Sequence, residues 1–265
     1  DNTWTGMAHI MRARHGGDHY SFDRFGCHFV GFNTATPQEP VPTIGQRTLT
    51  WIQNDLANVA ADTPVFLFCH HPLSSGEFSQ PYEPLRLLET IQDHHVVLLL
   101  MGHGHAVRHE RWGTLDSVMG GETWRANVGY NIISVQDGVL RVGYRYRDPA
   151  RGQQLLVEKP MKRSPAPRIR ITVTGDRADS QNGIPVVTHP AFLVSATVTG
   201  DLPKGIVASL DNVAERAIEL EPNTTPQREA SAGIQGTLDG QIATDDLVPG
   251  AHFVLVNADF NTGRI

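Results

Sequence analysis

Three histidines with the chemistry of metal ligands come directly after two uninterrupted apolar segments of the chain. His70 follows residues 64–69, and His103 and His105 follow residues 96–101 in the sequence Gly-His-Gly-His. A neutral imidazole is a good ligand for zinc, iron and related ions, and it suits calcium or magnesium less well. One histidine after a strand is usually structural, but two such endings in one chain indicate a metal site.

The two apolar segments are predicted to be neighbouring buried strands. They are apolar at every position, which is typical of strands that are covered on both faces. Ligands of open α/β sheets bind just outside the carboxyl ends of such strands, so both strands would bring their histidines to one edge. Pro72 prevents the first strand from continuing. Gly102 and Gly104 allow tight turns and a close approach of the backbone to an ion.

The surrounding sequence predicts the elements that would hold these strands in place. Residues 19–34 are expected to form a hairpin. Residues 46–56, with Thr43 as the capping residue, and residues 85–91 are expected to form helices that face the sheet with an apolar stripe. Residues 73–84 are expected to form a loop at the histidine edge that shapes a pocket. The chain that follows the last histidine is predicted to form short antiparallel strands.

The composition limits the classes of function. The chain has 265 residues, of which 40% are hydrophobic and 19% are charged, as is ordinary for one large or two modest globular domains. Its net charge of −6 argues against a nucleic-acid-binding surface. No apolar segment approaches the length of a membrane span. The two cysteines, Cys27 and Cys69, form no C-x-x-C motif.

The motifs around the histidines resemble those of a known enzyme family. His-His-Pro at 70–72 and Gly-His-Gly-His at 102–105 resemble the last two motifs of the calcineurin-like metallophosphoesterases. Residues 20–30, which read YSFD and then HFV, resemble the hairpin of that family, and residues 46–56 resemble its Q-x-x-W helix. The resemblance covers about residues 1–148.

This resemblance implies a four-layer αββα sandwich and hydrolysis of phosphomonoesters or phosphodiesters, with a phosphoester small molecule as the substrate. Two metal ions, of iron, manganese or zinc, would activate a hydroxide that attacks phosphorus. By the resemblance, His70 and His103 bind one metal and His105 binds the other. Arg108 is a candidate substrate-binding residue, because its planar guanidinium suits phosphate.

The sequence departs from the family before His70. The motifs D-x-H, G-D and G-N-H-D/E are absent there, and Asp1-Asn2 would correspond to the end of the third of them. The catalytic histidine is therefore expected upstream of residue 1, and the second metal is expected to depend on missing N-terminal carboxylates. Neutral imidazoles cancel none of the charge of two cations, so these residues alone are expected to bind metal weakly or not at all and to be inactive.

The expected absence of the front half has a structural consequence. The back half would form an incomplete αββα sandwich, and one face of its second sheet is expected to be apolar and exposed. Soluble monomers rarely tolerate such a patch. The missing N-terminal half or another chain is therefore expected to cover it.

Three regions are predicted along the chain. Residues 1–158 would be the metallophosphoesterase-like domain without its N-terminal half. Residues 159–167 are rich in proline, lysine and arginine and are expected to form a semi-rigid linker. Residues 168–265 show short alternating segments separated by Gly, Pro and Asn turns, which predict an all-β, immunoglobulin-like sandwich that lacks a final strand.

Two other functions stay open from the sequence. The chain could be a non-catalytic binding or adhesion protein with a degenerate phosphoesterase-like domain, since a fold does not guarantee a function. His103, His105 and His109 also resemble part of the H-x-H-x-D-H motif of metallo-β-lactamase folds, although Val107 stands where that motif has aspartate. An extracytoplasmic location, periplasmic or secreted, is favoured over others.

Overall fold

The chain divides into two compact units in the computed structural model, residues 1–164 and residues 165–265. The structure describes residues 4–35, 41–80, 82–112, 115–163, 168–175, 177–178, 185–199, 203–211, 214–223, 227–229, 233–250, 252–260 and 263–264. Asp1-Asn2 and residues 164–167 of the predicted linker lie outside this set. Lys159 and Pro160, at the start of that predicted linker, belong to a strand.

Among its described residues, the first unit has three helices and nine strands. The helices are Trp4–His15 (α1), Gln46–Leu56 (α2) and Glu83–Ile91 (α3). The strands are Tyr20–Arg24 (β1), Cys27–Gly31 (β2), Val65–Phe68 (β3), Val96–Met101 (β4), Val107–Trp112 (β5), Leu115–Gly120 (β6), Gly129–Gln136 (β7), Val139–Tyr146 (β8) and Gln153–Pro160 (β9). The predicted hairpin, the two predicted helices and the two predicted buried strands are all present.

Six strands of this unit form one sheet in the order β1-β2-β3-β4-β6-β5. The strands β2, β3, β4 and β6 run parallel, while β1 and β5 pair antiparallel with β2 and β6. The helices α2 and α3 connect β2 to β3 and β3 to β4, as parallel neighbours require a crossover connection. Because β3 and β4 are parallel neighbours, the residues that follow them reach the same edge of the sheet.

Each face of the six-stranded sheet packs against a different layer. On one face, Leu67 of β3 shares an apolar core with Ile52 of α2 and Leu87 of α3. On the other face, Phe66 of β3 shares a core with Leu140 of β8, which lies in the three-stranded sheet β7-β8-β9. Full burial of each such side chain stabilises the fold by about 1.5–3 kcal/mol. The continuous apolar sequence of β3 is explained by these two cores.

The start of α2 differs from the capping prediction. The helix begins at Gln46 after Gly45, without a side-chain cap. The hydroxyl of Thr43 instead donates a hydrogen bond to Oε1 of Glu83 at 2.8 Å, and the backbone N–H of Ile44 donates to Oε2 of Glu83 at 2.8 Å. The buried Glu83 thereby ties the segment before α2 to the start of α3. This contact joins distant residues, so no local pattern reveals it.

The prediction of a four-layer αββα sandwich is wrong. Strands make up 47% of the described residues and helices 14%, and the strands fall into several small sheets. The outer face of the three-stranded sheet carries Tyr130, Ile132 and Leu155, and Leu155 is 60% exposed. Within the described part of unit 1, no helix therefore covers this face. An alternating sequence indicates which residues of a strand share a face, but not which element covers that face.

The second unit consists of strands and one short 3-10 helix, Ala214–Arg216, among its described residues. The strands are Arg168–Thr174 (β10), Arg177–Ala178 (β11), Pro185–Val186 (β12), Ala191–Thr199 (β13), Gly205–Leu210 (β14), Ile218–Glu219 (β15), Glu221–Pro222 (β16), Gln227–Glu229 (β17), Gly233–Ala243 (β18), Val254–Phe260 (β19) and Gly263–Arg264 (β20). Alternate residues of β13 are buried, as its sequence predicts.

The strands of the second unit belong to three sheets. One has β10, β13, β18, β16 and β17, another has β15, β14, β19 and β20, and β11 pairs with β12. Val194 of β13 and Ile206 of β14 share the apolar core of this unit. The predicted immunoglobulin-like sandwich is wrong, because several of the strands have only two residues and the sheets form no clear immunoglobulin domain.

None of the helices that the structure describes could span a membrane. The longest, α1, has 12 residues, whereas a span requires about 20 apolar residues. The prediction that the chain has no membrane-spanning helix is confirmed for these residues.

Candidate metal centre

Three histidines meet at the edge where β3 and β4 end. The ring nitrogens that His70, His71 and His103 offer to an ion lie within 4.8 Å of one another. The ring centroids of His71 and His103 are 4.4 Å apart, and those of His70 and His103 are 5.2 Å apart. Nitrogens that bind one zinc ion at about 2.0–2.1 Å lie about 3.4 Å apart in tetrahedral geometry. Small ring rotations would therefore bring all three nitrogens to one ion.

His71 is the member of this cluster that the sequence analysis did not predict. It is 7% exposed, and its Nδ1 shares a hydrogen bond with the hydroxyl of Thr34 at 2.8 Å. Burial, together with His103 and His70, lowers the pKa of His71 to about 4. The ring is therefore neutral near pH 7, and its Nε2 is the atom left for an ion. In the sequence, the one indication that His71 belongs to the site is that it directly follows the predicted ligand His70.

His70 and His103 are brought together because the backbone of Gly102 lies against His70. The N–H of Gly102 donates to the carbonyl of His70 at 2.9 Å, and a Cβ at Gly102 would lie 3.2 Å from Nδ1 of His70. A side chain at position 102 would crowd the His70 ring, so glycine is favoured there. His103 adopts a φ of 65°, a left-handed conformation that is uncommon for residues with a side chain. Desolvation and the neighbouring His103 lower the pKa of His70, which favours the neutral, metal-binding form.

A carboxylate also reaches the cluster. Oε2 of Glu77, an exposed residue in the loop after β3, lies 2.7 Å from Nε2 of His103. In metal sites, a carboxylate commonly accepts a hydrogen bond from a ligating histidine and thereby fixes the orientation of its ring. Glu77 carries no signal in the sequence, because this contact depends on how the loop folds back over the edge of the sheet.

His105 lies apart from this cluster in the described structure. Its side chain is 48% exposed, and its ring centroid is 6.2 Å from that of Trp124. Its Nδ1 is 3.8 Å from Oε2 of the buried Glu122. Of the three predicted metal ligands, the structure brings together His70 and His103 and places His105 beside a carboxylate instead.

Arg108, the candidate substrate-binding residue, lies on β5. Its Nη2 donates to the hydroxyl of Ser74 at 3.0 Å and pairs with Oε1 of Glu110 at 2.6 Å. Ser74 belongs to the loop that follows β3 and its two neighbouring histidines, His70 and His71, so this contact ties β5 to that loop. About half of the arginine side chain is exposed, and its guanidinium is already paired with the carboxylate of Glu110.

His109 belongs to a separate group of charges. Its Nε2 lies 2.7 Å from Oδ1 of Asp116, and Nζ of Lys159 lies 2.5 Å from the other oxygen of that carboxylate. The metallo-β-lactamase interpretation requires His109 to share an ion with His103 and His105. Among the described residues, only His103 of these three belongs to the group of three ligands that could hold one ion, so the structure does not support that interpretation.

A second polar cluster lies on the β1–β2 hairpin, beside a cleft of about 500 Å³. Nδ1 of His28 lies 2.7 Å from Asp23, and its Nε2 lies 2.8 Å from Asp55. The hydroxyl of Ser21 donates to Asp55 at 2.5 Å. Burial opposes the charged form of His28, but the hydrogen bonds to Asp55 and Asp23 outweigh it and raise the pKa. Both ring nitrogens are engaged, so His28 serves the structure and is no metal ligand.

Comparisons with known proteins give distant similarities. No family model and no curated protein matches the sequence. A solved structure of GAP50, the anchor in the inner membrane complex of Plasmodium, is 14% identical with a TM-score of 0.45 and covers 61% of this chain. A predicted phosphoesterase from Streptococcus pneumoniae TIGR4 is 10% identical with a TM-score of 0.27 and covers 56%. The chain spans 63% of each of those structures. With both TM-scores below 0.5, neither similarity establishes fold or activity.

Proposed function

We propose that unit 1 binds a transition-metal ion at His70, His71 and His103 and hydrolyses phosphoesters with it. The observation that carries this proposal is the approach of three ligand nitrogens to within 4.8 Å where two parallel strands end. The resemblance of the two histidine motifs to those of metallophosphoesterases supplies the class of reaction. Zinc, iron and manganese are the ions that the proposal admits, because imidazole suits the first two and carboxylate suits the third.

Each residue of the site has its own role in this proposal. His70, His71 and His103 supply the neutral nitrogens that hold the ion. A bound metal ion lowers the pKa of its water and polarises a phosphoryl oxygen. Glu77, 2.7 Å from His103, accepts a hydrogen bond from the N–H at Nε2 of that ring and so fixes its orientation. Arg108, whose side chain is about half exposed, offers its guanidinium to the phosphate oxygens.

Two carboxylates change the expectation that the chain binds metal weakly. That expectation assumed three neutral imidazoles without any negative charge beside them. Glu77 lies beside His103, and Glu122 lies beside His105. Glu77 thus brings a negative charge to the cluster of His70, His71 and His103, and Glu122 brings one beside His105. We therefore propose that this chain binds metal without further residues.

Replacement of one ligand tests the metal site. His103→Ala is expected to lower the affinity for Zn²⁺ by at least about 100-fold, since loss of even an outer partner of a ligand costs about 10–100-fold. His95→Ala is the matched control, because His95 precedes β4 at its other end and contacts the carbonyl of Asp62. Isothermal titration calorimetry measures both. Equal Zn²⁺ affinity of the wild type and His103→Ala would refute the site.

Hydrolysis tests the reaction class. With Zn²⁺ or Mn²⁺ supplied, the chain is expected to hydrolyse p-nitrophenyl phosphate or bis-p-nitrophenyl phosphate, and comparison of the two separates monoesterase from diesterase activity. His70→Ala is expected to abolish that activity, while His95→Ala retains it. A metal-loaded chain that hydrolyses neither substrate would exclude the phosphoesterase function and leave the metal site standing.

A further inference from the structure

An exposed tryptophan lies at the edge of the sheet that carries the candidate metal centre. Trp124 is 64% exposed, and it belongs to the segment between β6 and β7. Because β6 is the parallel neighbour of β4, the residues that follow these two strands reach the same edge of the sheet. A single exposed apolar side chain is common on protein surfaces. What distinguishes Trp124 is therefore its position and the way in which it is held.

The indole of Trp124 lies beside the last histidine of the Gly-His-Gly-His segment. The ring centroids of Trp124 and His105 are 6.2 Å apart, and the two rings are nearly perpendicular, at 78°. His105 is two residues from His103, and two residues of chain span at most about 7 Å. A ligand whose phosphate lies at the ion proposed on His103 has this short gap to cross before it reaches the indole.

The loop that carries Trp124 is closed at its base. The N–H of Glu122 donates to the carbonyl of Asn127 at 3.1 Å, and the N–H of Gly129 donates to the carbonyl of Glu122 at 3.3 Å. The side-chain amide of Asn127 also donates to the carbonyl of His105 at 2.9 Å. These bonds join the two ends of the loop to each other and to the metal edge. The loop therefore needs little ordering when a ligand binds, which lowers the entropic cost of binding.

Arg125 covers one face of the indole. Its guanidinium carbon lies 4.0 Å from the centroid of the Trp124 ring, as in a cation–π contact. A ring has two faces, and at 64% exposure the second face of this one is open to solvent. A planar group can stack on that open face. The charge of Arg125, which is itself exposed, attracts the phosphate of the same ligand.

We propose that Trp124 is the platform on which this protein stacks the leaving group of its substrate, so that the substrate is a phosphoester with a planar aromatic group. The inference rests on the proposed function, and it names the substrate class of that site. Nucleobases and aryl groups both have a π-face that stacks on indole, whereas an alkyl group has none. Nucleotides and aryl phosphates share this chemistry. Trp124 contacts the leaving group at a distance from the reacting atoms, so it determines specificity.

Phosphonates test the platform independently of hydrolysis, because they contain a P–C bond in place of the ester bond. In calorimetry of the Zn²⁺-loaded chain, phenylphosphonate is expected to bind at least about 5-fold more tightly than butylphosphonate. Trp124→Ala is expected to remove this preference, and Trp124→Phe, which retains a ring, is expected to keep most of it. Tyr130→Ala is the matched control, because Tyr130 is another exposed aromatic residue, on the outer face of the three-stranded sheet. It is expected to keep the whole preference.

Hydrolysis distinguishes the two sources of the aromatic group. Trp124→Ala is expected to raise KM for adenosine monophosphate or for p-nitrophenyl phosphate at least about 5-fold, with kcat little changed, because it removes binding common to the ground state and the transition state. KM for butyl phosphate is expected to stay the same. A rise for adenosine monophosphate alone would identify a nucleotide as the substrate, and a rise for p-nitrophenyl phosphate alone would identify an aryl phosphate.

Three binding results would overturn the inference. They are equal affinity of the wild type for the two phosphonates or binding of neither, a preference that Trp124→Ala retains, and a preference that Tyr130→Ala removes. Hydrolysis of phosphoesters without any aromatic preference would overturn the platform and leave the proposed function intact. A metal-loaded chain that prefers phenylphosphonate but hydrolyses none of the phosphoesters would overturn the proposed function and leave the platform intact, so the two failures can be told apart.

Discussion

Two histidines of the site, His71 and His103, are held by residues from other parts of the chain. His71 bonds to Thr34, and His103 contacts Glu77. The sequence predicted His70 and His103, because each lies just after an apolar strand and that pattern is local. It did not predict the residues that orient the rings, because a single sequence carries no signal for contacts that only the folded loops create.

Thr34 is expected to contribute to metal affinity through His71 without touching the ion. Thr34→Val removes the hydroxyl that shares a hydrogen bond with Nδ1 of His71, so the ring loses its fixed orientation. We expect Zn²⁺ affinity to fall about 10–100-fold, which is the usual cost of removing a residue that hydrogen-bonds to a metal ligand and orients it. Calorimetry measures this, and Thr34→Ser is expected to restore the affinity. A Thr34→Val variant with wild-type affinity would show that the hydrogen bond does not position His71.

The helices and strands with the clearest local patterns were predicted well. Strands β3 and β4 are continuous apolar segments, and α2 carries an apolar stripe that packs into the core through Leu49, Ile52 and Leu56. The start of α2 was predicted less well, because Glu83 takes the place of a local cap. The hairpin contains a further tertiary link, since His28 of β2 binds Asp23 of β1 and Asp55 of α2.

This link makes the stability of unit 1 depend on pH. The folded pKa of His28 is raised above its usual value of 6.5, so its charged pairs stabilise the fold fully below that pH. The contribution is lost as the pH rises through the folded pKa. Asp55→Asn is therefore expected to lower the free energy of unfolding by about 1.5–3 kcal/mol near pH 6. We expect a smaller loss near pH 9, because the ring loses its charge as the pH rises through its pKa.

Tryptophan fluorescence during urea unfolding measures this effect. The four tryptophans at positions 4, 51, 112 and 124 all lie in unit 1, so their signal reports on that unit. Asp62→Asn is a suitable control, since Asp62 is exposed, and a surface change of this kind is expected to stay within about 0.5 kcal/mol. A loss in Asp55→Asn that is as large near pH 9 as near pH 6 would contradict a charged His28.

The arrangement of layers was the least predictable level of the molecule. The sequence indicates short antiparallel strands after the last histidine, but it does not reveal that no described helix covers the outer face of β7, β8 and β9. The described residues leave Tyr130, Ile132 and Leu155 exposed there. The expectation that the missing half or another chain covers this face stays a prediction. In the second unit, strands of two or three residues have too short a pattern to be recognised.

A matched pair of substitutions tests which face of the three-stranded sheet is buried. Leu140 is fully buried against the six-stranded sheet, whereas Ile132 lies on the outer face and is 41% exposed. Leu140→Ala is expected to lower the free energy of unfolding of unit 1 by about 2–5 kcal/mol. Ile132→Ala is expected to change it by less than about 0.5 kcal/mol. Urea unfolding followed by tryptophan fluorescence compares them, and equal losses would mean that the outer face is covered in solution.

Anomalous diffraction from crystals grown with Zn²⁺ is the most direct test of the metal centre. The proposed site predicts an anomalous peak at the zinc edge about 2.0–2.1 Å from one nitrogen each of His70, His71 and His103. Zinc bound elsewhere with these three rings turned away from one another would contradict it.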